Sequence, residues 1–247
     1  MSYFWSGNGG VPGDYSYGKM HIIAFAVLIV VSVTMCIIGS RLSQKNRRNV
    51  LVATAVFAVA LEIFWRGVWI GRGLPMAELW PLFPCNLAGV LVPLIALSNN
   101  KTLKNIFYVF AFLGGVTTFV YPYDVFTNSV LNFDIFKSLL QHMLIIIIPA
   151  YEFFTGQFKP QFKKVWLSIL AMFIHLFNSE YFTRLLGLDG DYIFLRSGIP
   201  FVIPCVPQAF ILGTLGAIAI VAVYAVMDFK GFKAVLQRKN TGQKPKK

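Results

Sequence analysis

Cys85 stands between a proline and an asparagine at the head of an uninterrupted apolar run, WPLFPCNLAGVLVPLIALS at residues 80–98. A thiol in that place invites nucleophilic chemistry. Pro81 and Pro84 fit the first turn of a helix, where backbone N–H groups have no intrahelical partner. Cys85 would then sit beside free donors at the positive end of the helix dipole, a setting that favours the attacking thiolate. A neighbouring Arg66 or histidine would push the same way, and Asn86 could donate a hydrogen bond to an oxyanion. A nucleophile needs a base within reach, and His142 enters a later apolar run, 136–155, from the same side and at a similar depth.

Other readings of the same thiol stand beside this one. Cysteine often behaves as a small buried hydrophobe, which is how Cys36 reads. Cys205, in IPCVP, enters another apolar run at the level of Cys85, so a disulfide between them is possible in an oxidising compartment. His21, Cys85, His142 and Cys205 could in principle supply four zinc ligands, but no short ligand spacing supports this, and neither a metal nor another cofactor is expected.

The elements that must position these groups are long apolar helices. The chain has 247 residues, 57% hydrophobic and only 13% charged, far from the soluble balance of roughly 25% charged. Seven apolar stretches, at about 20–40, 50–70, 81–98, 106–122, 136–155, 165–184 and 205–228, are separated by short polar segments. Each approaches the roughly 20 residues needed to cross a bilayer core of about 30 Å. Continuous rather than alternating runs specify helices, which satisfy their own backbone in lipid. The expected fold is therefore all-α, a polytopic bundle of seven transmembrane helices. An outer segment, 1–18, would precede a membrane domain at 19–229, and a basic tail would occupy 230–247. Segment 1–18 carries no Lys or Arg, so the first stretch is read as a true span rather than a cleaved signal.

Net charge is +12, which in a soluble protein would point to nucleic acid. Its distribution points elsewhere. Alternate loops and the tail hold 16 of the 22 basic residues, which by the positive-inside rule puts the N-terminus outside and the C-terminus in the cytoplasm. The tail could also touch anionic lipid. With this orientation His21, Cys85, Gln141 and His142 lie within about two turns of the outer ends of their helices, and Glu62, Arg66, Asn178 and Glu180 lie toward the outer ends of theirs. His175 is nearer mid-depth. Ionisable groups at membrane depth cost about 2.5–3.5 kcal/mol each on insertion scales, so a cluster of them points to function. Glu62 and Arg66, four apart, share a helix face and would partly neutralise one another; with Asn178 they could equally be polar glue between helices. Glu152, at the inner end of its run, is expected to pair with the lysines of the following loop. Pro93 and Pro149 would kink the two helices that carry Cys85 and His142.

An ordered set of short motifs, YSYGKMH (15–21), LEIFWR (61–66), WPLFPCNL (80–87), LLQHMLIIIIP (139–149), FNSEY (177–181) and GDYIFLRSG (190–198), resembles the YwaF-like integral membrane family. That family also includes the eukaryotic transmembrane-protein-164 acyltransferases. The resemblance covers about residues 15–228 and seven helices. It implies that Cys85 and His142 occupy the two positions taken in the eukaryotic members to form an acyl-cysteine intermediate, moving a fatty acyl chain between phospholipids. It also implies family counterparts for His21, at the entry of helix 1, and Tyr192, in an NYxFL-like motif. Two departures stand out: Phe83 replaces the histidine usual in bacterial LPLHLC, and Asp191 replaces the motif asparagine.

The expected function is a cysteine-dependent lipid acyltransferase working near the outer leaflet of a cell membrane, read as the bacterial plasma membrane. Cys85 and His142 would be catalytic, with membrane phospholipid as substrate and no nucleic-acid partner. His21, Glu62, Arg66, Asn86, Asn178 and Tyr192 would bind or position the substrate. The rival expectation is a non-enzymatic transporter or binder that uses the same outer polar cavity.

Overall fold

A computed structural model describes residues 4–5, 10–74, 79–122, 125–188 and 208–241. Among them the architecture is all-helical: α1 (Lys19–Arg41), α2 (Gln44–Gly71), α3 (Pro84–Ser98), α4 (Lys101–Val120), α5 (Phe133–Phe154), α6 (Val165–Leu185), α7 (Gln208–Met227) and α8 (Phe229–Thr241), with a short 3-10 turn at Phe162–Lys164. Six of these helices are long and apolar enough to cross a membrane, and the chain is a multi-pass membrane protein. The helix ends follow local chemistry. Ser43 accepts from the Asn46 amide at the start of α2, Asn100 from Thr102 and Leu103 at α4, and Asn132 from Ile135 at α5, each satisfying an otherwise orphaned donor. Asn99, in the left-handed conformation, stops α3, a role asparagine fills because it tolerates positive φ.

The expected runs and the observed helices differ at several boundaries, and α4 and α5 also begin earlier than expected, at Lys101 and Phe133. α2 starts at Gln44 rather than near 50, because the Ser43 cap carries the helix through the basic segment. α3 has only 15 residues, since Phe83 is extended and Pro84 supplies the first helical position. The basic tail is helical as far as Thr241.

α5 is the centre of the bundle. It packs against α1, α2, α3 and α4, while α4 in turn carries α6 and α7. The buried layer joins Leu51, Ala55 and Ala58 of α2, Ala88 and Val92 of α3, Tyr108 of α4, and Ile145 and Ile148 of α5. The outside is apolar as well: Ile22, Val30, Ile63, Phe177 and Val226 are exposed. Hydrocarbon-facing surface of this kind, with the charges turned inward, is the pattern lipid selects.

Basic side chains near one end of the bundle close helix C-termini. Arg47 donates to the carbonyls of Gly39, Ser40 and Thr155, and Arg48 to those of Ala96 and Leu97. The charge thereby meets the negative ends of α1, α3 and α5. At this end Glu152 pairs with Lys104 of α4 at 2.5 Å and accepts from the Tyr108 hydroxyl at 3.0 Å. The expected partner in the loop after α5 is thus replaced, because α4 and α5 run side by side and bring a lysine from the preceding helix against the carboxylate.

Candidate functional site

The opposite end of the bundle holds Cys85. Phe83 caps α3 without a side-chain bond, and Pro84 has no N–H to give. The amides of Asn86 and Leu87 both donate to the Phe83 carbonyl, each at 3.1 Å. Pro84 at the first helical position thus puts the thiol in the first turn of α3, among its peptide dipoles. The thiol itself makes a long contact of 4.0 Å with Asn86 Oδ1. Cys85 is a free thiol, as is Cys36; Cys205 lies outside the described residues.

The backbone of that turn is tied to α5. Gln141 Nε2 donates to the Cys85 carbonyl at 2.9 Å, and Lys137 Nζ donates to Gln141 Oε1 at 2.6 Å. Lys137 also lies 3.2 Å from Glu62 Oε1, whose other oxygen holds Arg66 Nη1 at 2.5 Å. The ammonium sits 3.9 Å from the centroid of the Trp65 ring, a desolvated cation–π contact worth up to about 2 kcal/mol. Lys137, Gln141 and Glu62 are all buried. Two pairs at i,i+4 spacing, Glu62–Arg66 on α2 and Lys137–Gln141 on α5, are thus turned toward each other across Gly89 of α3. A side chain at Gly89 would collide with Gln141 Nε2, so glycine is what lets α5 reach the Cys85 carbonyl.

His142, the next residue along α5, is buried, and its Nδ1 meets the Ser138 carbonyl at 2.7 Å. A carbonyl only accepts, so Nδ1 carries the proton and Nε2 keeps its lone pair, the tautomer a general base requires. Among the described residues no hydrogen bond joins the imidazole to the Cys85 sulfur; the direct tie from α5 to Cys85 runs through Gln141.

The remaining expected site residues divide. Glu62 and Arg66 join the Cys85 network, and Asn86 touches the thiol. His21 does not join it: its Nε2 meets the Phe119 carbonyl at 2.8 Å and its Nδ1 receives the Tyr17 amide at 3.1 Å, so both nitrogens fasten the start of α1 to the end of α4. Asn178 lies on α6, which packs on α4 and α7, and it makes no hydrogen bond to the described residues. Tyr192 falls outside the described residues. His175 of α6 is buried, and neither ring nitrogen has a hydrogen-bond partner among the described residues. Sequence reasoning missed Lys137. Its signal was available: a lysine one turn before Gln141, hence on the same face, at the same end as Glu62. Among the described residues no three His, Cys, Asp or Glu side chains gather as a metal centre would require.

The model of the TMEM164 family matches residues 16–227. No curated protein and no solved structure matches the chain.

Proposed function

The chain belongs to the TMEM164 family, and from that premise we propose that it is a membrane-embedded acyltransferase that moves a fatty acyl chain through a thioester on Cys85. In the first half-reaction His142 Nε2 takes the thiol proton and the sulfur attacks an ester carbonyl of a phospholipid. The tetrahedral oxyanion is met by the Cys85 amide and the Asn86 side-chain N–H, since the Asn86 and Leu87 amides are engaged by the Phe83 carbonyl. Collapse forms the Cys85 thioester and breaks the ester bond, and the imidazolium returns its proton to the departing lysolipid oxygen. In the second half-reaction an acceptor hydroxyl gives its proton to Nε2 and attacks the thioester, which restores the free thiol. Glu62 and Lys137 act through Gln141 to fix the turn on which the sulfur rides.

The observation that supports this reading is the tie of the proline-led Cys85 turn on α3 to Gln141 of α5, the sequence neighbour of His142, whose Nε2 is unprotonated. A hydrogen bond between such partners commonly tightens only when substrate is bound. The family resemblance at Cys85 and His142 supports the same roles. The basic loops support an N-terminus outside and a cytoplasmic C-terminus, with seven spans, and hence a site at the outer leaflet. A single added cysteine at Lys45 or Lys233 should react with a membrane-impermeant thiol reagent only after the cells are opened; labelling of intact cells would reverse the orientation.

The chemistry is tested by incubating the purified protein with phospholipid carrying a labelled acyl chain, followed by mass spectrometry of the α3 peptide. A hydroxylamine-sensitive acyl group on Cys85 is expected, lost in Cys85→Ala. In His142→Gln the rate of its formation should fall by about 10²-fold or more, the usual share of a general base. Acyl transfer that persists in Cys85→Ala would overturn the reading. Lipid binding of equal strength in both variants with no acylated peptide would leave a non-enzymatic lipid binder instead.

A further inference from the structure

Between α2, α3 and α5, one helical turn from Cys85, lies a small cavity with about 10 Å³ open to the centre of a water-sized sphere. That is about the minimum volume for one water molecule. Glu62, Gly89, Pro93, Gln141 and Ile145 are among the residues that line it. Most of that lining is apolar, and two prolines leave backbone acceptors beside it. Pro93 lies inside α3 and Pro149 inside α5, and neither has an N–H to offer the carbonyl four residues earlier. Those carbonyls belong to Gly89 and Ile145, and both residues line the cavity. A third acceptor is Glu62 Oε1, buried and without a hydrogen-bond partner among the described residues; Lys137 Nζ, at 3.2 Å, stands at ion-pair distance only. A fourth group is a donor. Gln141 Nε2 commits one N–H to the Cys85 carbonyl and has a second.

We propose that this cavity is a binding site for a single water molecule, which accepts from Gln141 Nε2 and donates to Glu62 Oε1 and to a backbone carbonyl released by Pro93 or Pro149. Three hydrogen bonds are what a buried water ordinarily makes. An apolar occupant would leave a buried carboxylate oxygen and two carbonyls unbonded, each a free-energy loss. A small cation is disfavoured for a different reason. Arg66 and Lys137 already flank the Glu62 carboxylate, so a third positive charge would meet net repulsion. The water closes a ring of Glu62, Lys137 and Gln141 beneath the Cys85 turn, and it joins α3 and α5 through a carbonyl that an internal proline leaves without its N–H. The proposal stands whether or not Cys85 carries an acyl group.

Radiolytic hydroxyl labelling in lipid nanodiscs, read by mass spectrometry, tests it, because ionised bound water oxidises the side chains beside it even where bulk solvent does not reach. Leu144 and Ile145, which line the cavity, should incorporate oxygen severalfold faster than Ile63, which faces lipid. Gly89→Ala and Ala58→Val each fill the space, and Pro93→Ala restores an N–H to the Gly89 carbonyl. In whichever of the two filled variants elutes as folded protein, labelling at Ile145 should drop severalfold, and a drop in Pro93→Ala as well would assign the Gly89 carbonyl as the water's acceptor. Labelling of Leu144 and Ile145 no faster than of Ile63 in the unaltered protein would overturn the site, as would labelling unchanged in the filled variants. Suppression of the labelling by added sodium or potassium would overturn it in favour of a cation.

Discussion

At Lys137 a full positive charge is held between a carboxylate, an amide oxygen and an indole face, with no exposed surface of consequence. Such a charge is tolerable only while every partner stays in place, since removing one side of a buried pair strands the other. Lys137→Met should therefore lower the unfolding free energy by about 3 kcal/mol, near the low end for a broken buried pair because Arg66 still holds one oxygen of Glu62. Denaturant titration in detergent micelles measures it. Replacing both charges, in Glu62→Leu with Lys137→Met, should recover part of that loss; a double variant no better than the sum of the singles would mean that the two residues are not energetically coupled. Gln141→Leu keeps the apolar volume but frees the Cys85 carbonyl, so thiol alkylation should change in rate while the ion pairs persist. His21 poses the contrasting case. Both of its nitrogens serve the backbone, so His21→Phe should cost about 1–3 kcal/mol of stability with Cys85 reactivity left as it was.

The helices are joined by charge at one end and by the Cys85 network at the other. Arg48 donates to two carbonyls at the end of α3, and a hydrogen bond from a charged donor contributes about 1.5–3 kcal/mol. Arg48→Ala should speed hydrogen exchange at the last turn of α3, including the Asn99 amide that bonds Ile95. Exchange in α6, which packs chiefly on α4 and α7, should stay unchanged. The helices themselves were legible because apolar length is a strong signal, and the caps at Ser43, Asn100 and Asn132 explain where they begin. The short α3 was less so. Its apolar run continues backward through Leu82 and Phe83, and only the backbone of Phe83 and the ring of Pro84 decide where helix starts. Pairing across helices was not legible at all. Glu152 was matched to the lysines that follow it in sequence, whereas packing of α4 on α5 supplies Lys104, 48 residues earlier. Lys137 was hidden for the same reason, since its value lies in partners on α2.

For the molecule as a whole, polarity is arranged inside out. Ile63 and Glu62 are neighbours in sequence, yet one is exposed and the other buried, and only a hydrocarbon surround makes that stable. Ile63→Arg should reduce membrane insertion by about 2.5–3.5 kcal/mol on a translocon assay, while Ile63→Leu should leave it unaltered. Equal insertion of the arginine variant would place that face against protein or water.

The shortness of α3 has a consequence for membrane thickness. Fifteen residues at a rise of 1.5 Å reach about 22 Å, against about 30 Å of hydrocarbon. In the proposed orientation, with its far end at one boundary, the helix would stop about 8 Å short of the other, and its first turn would be sunk by that amount. On the proposed acyltransferase reading, a sulfur at such a level would be recessed beneath the lipid headgroups, and bilayer thickness would become a determinant of which ester carbonyls come within its reach.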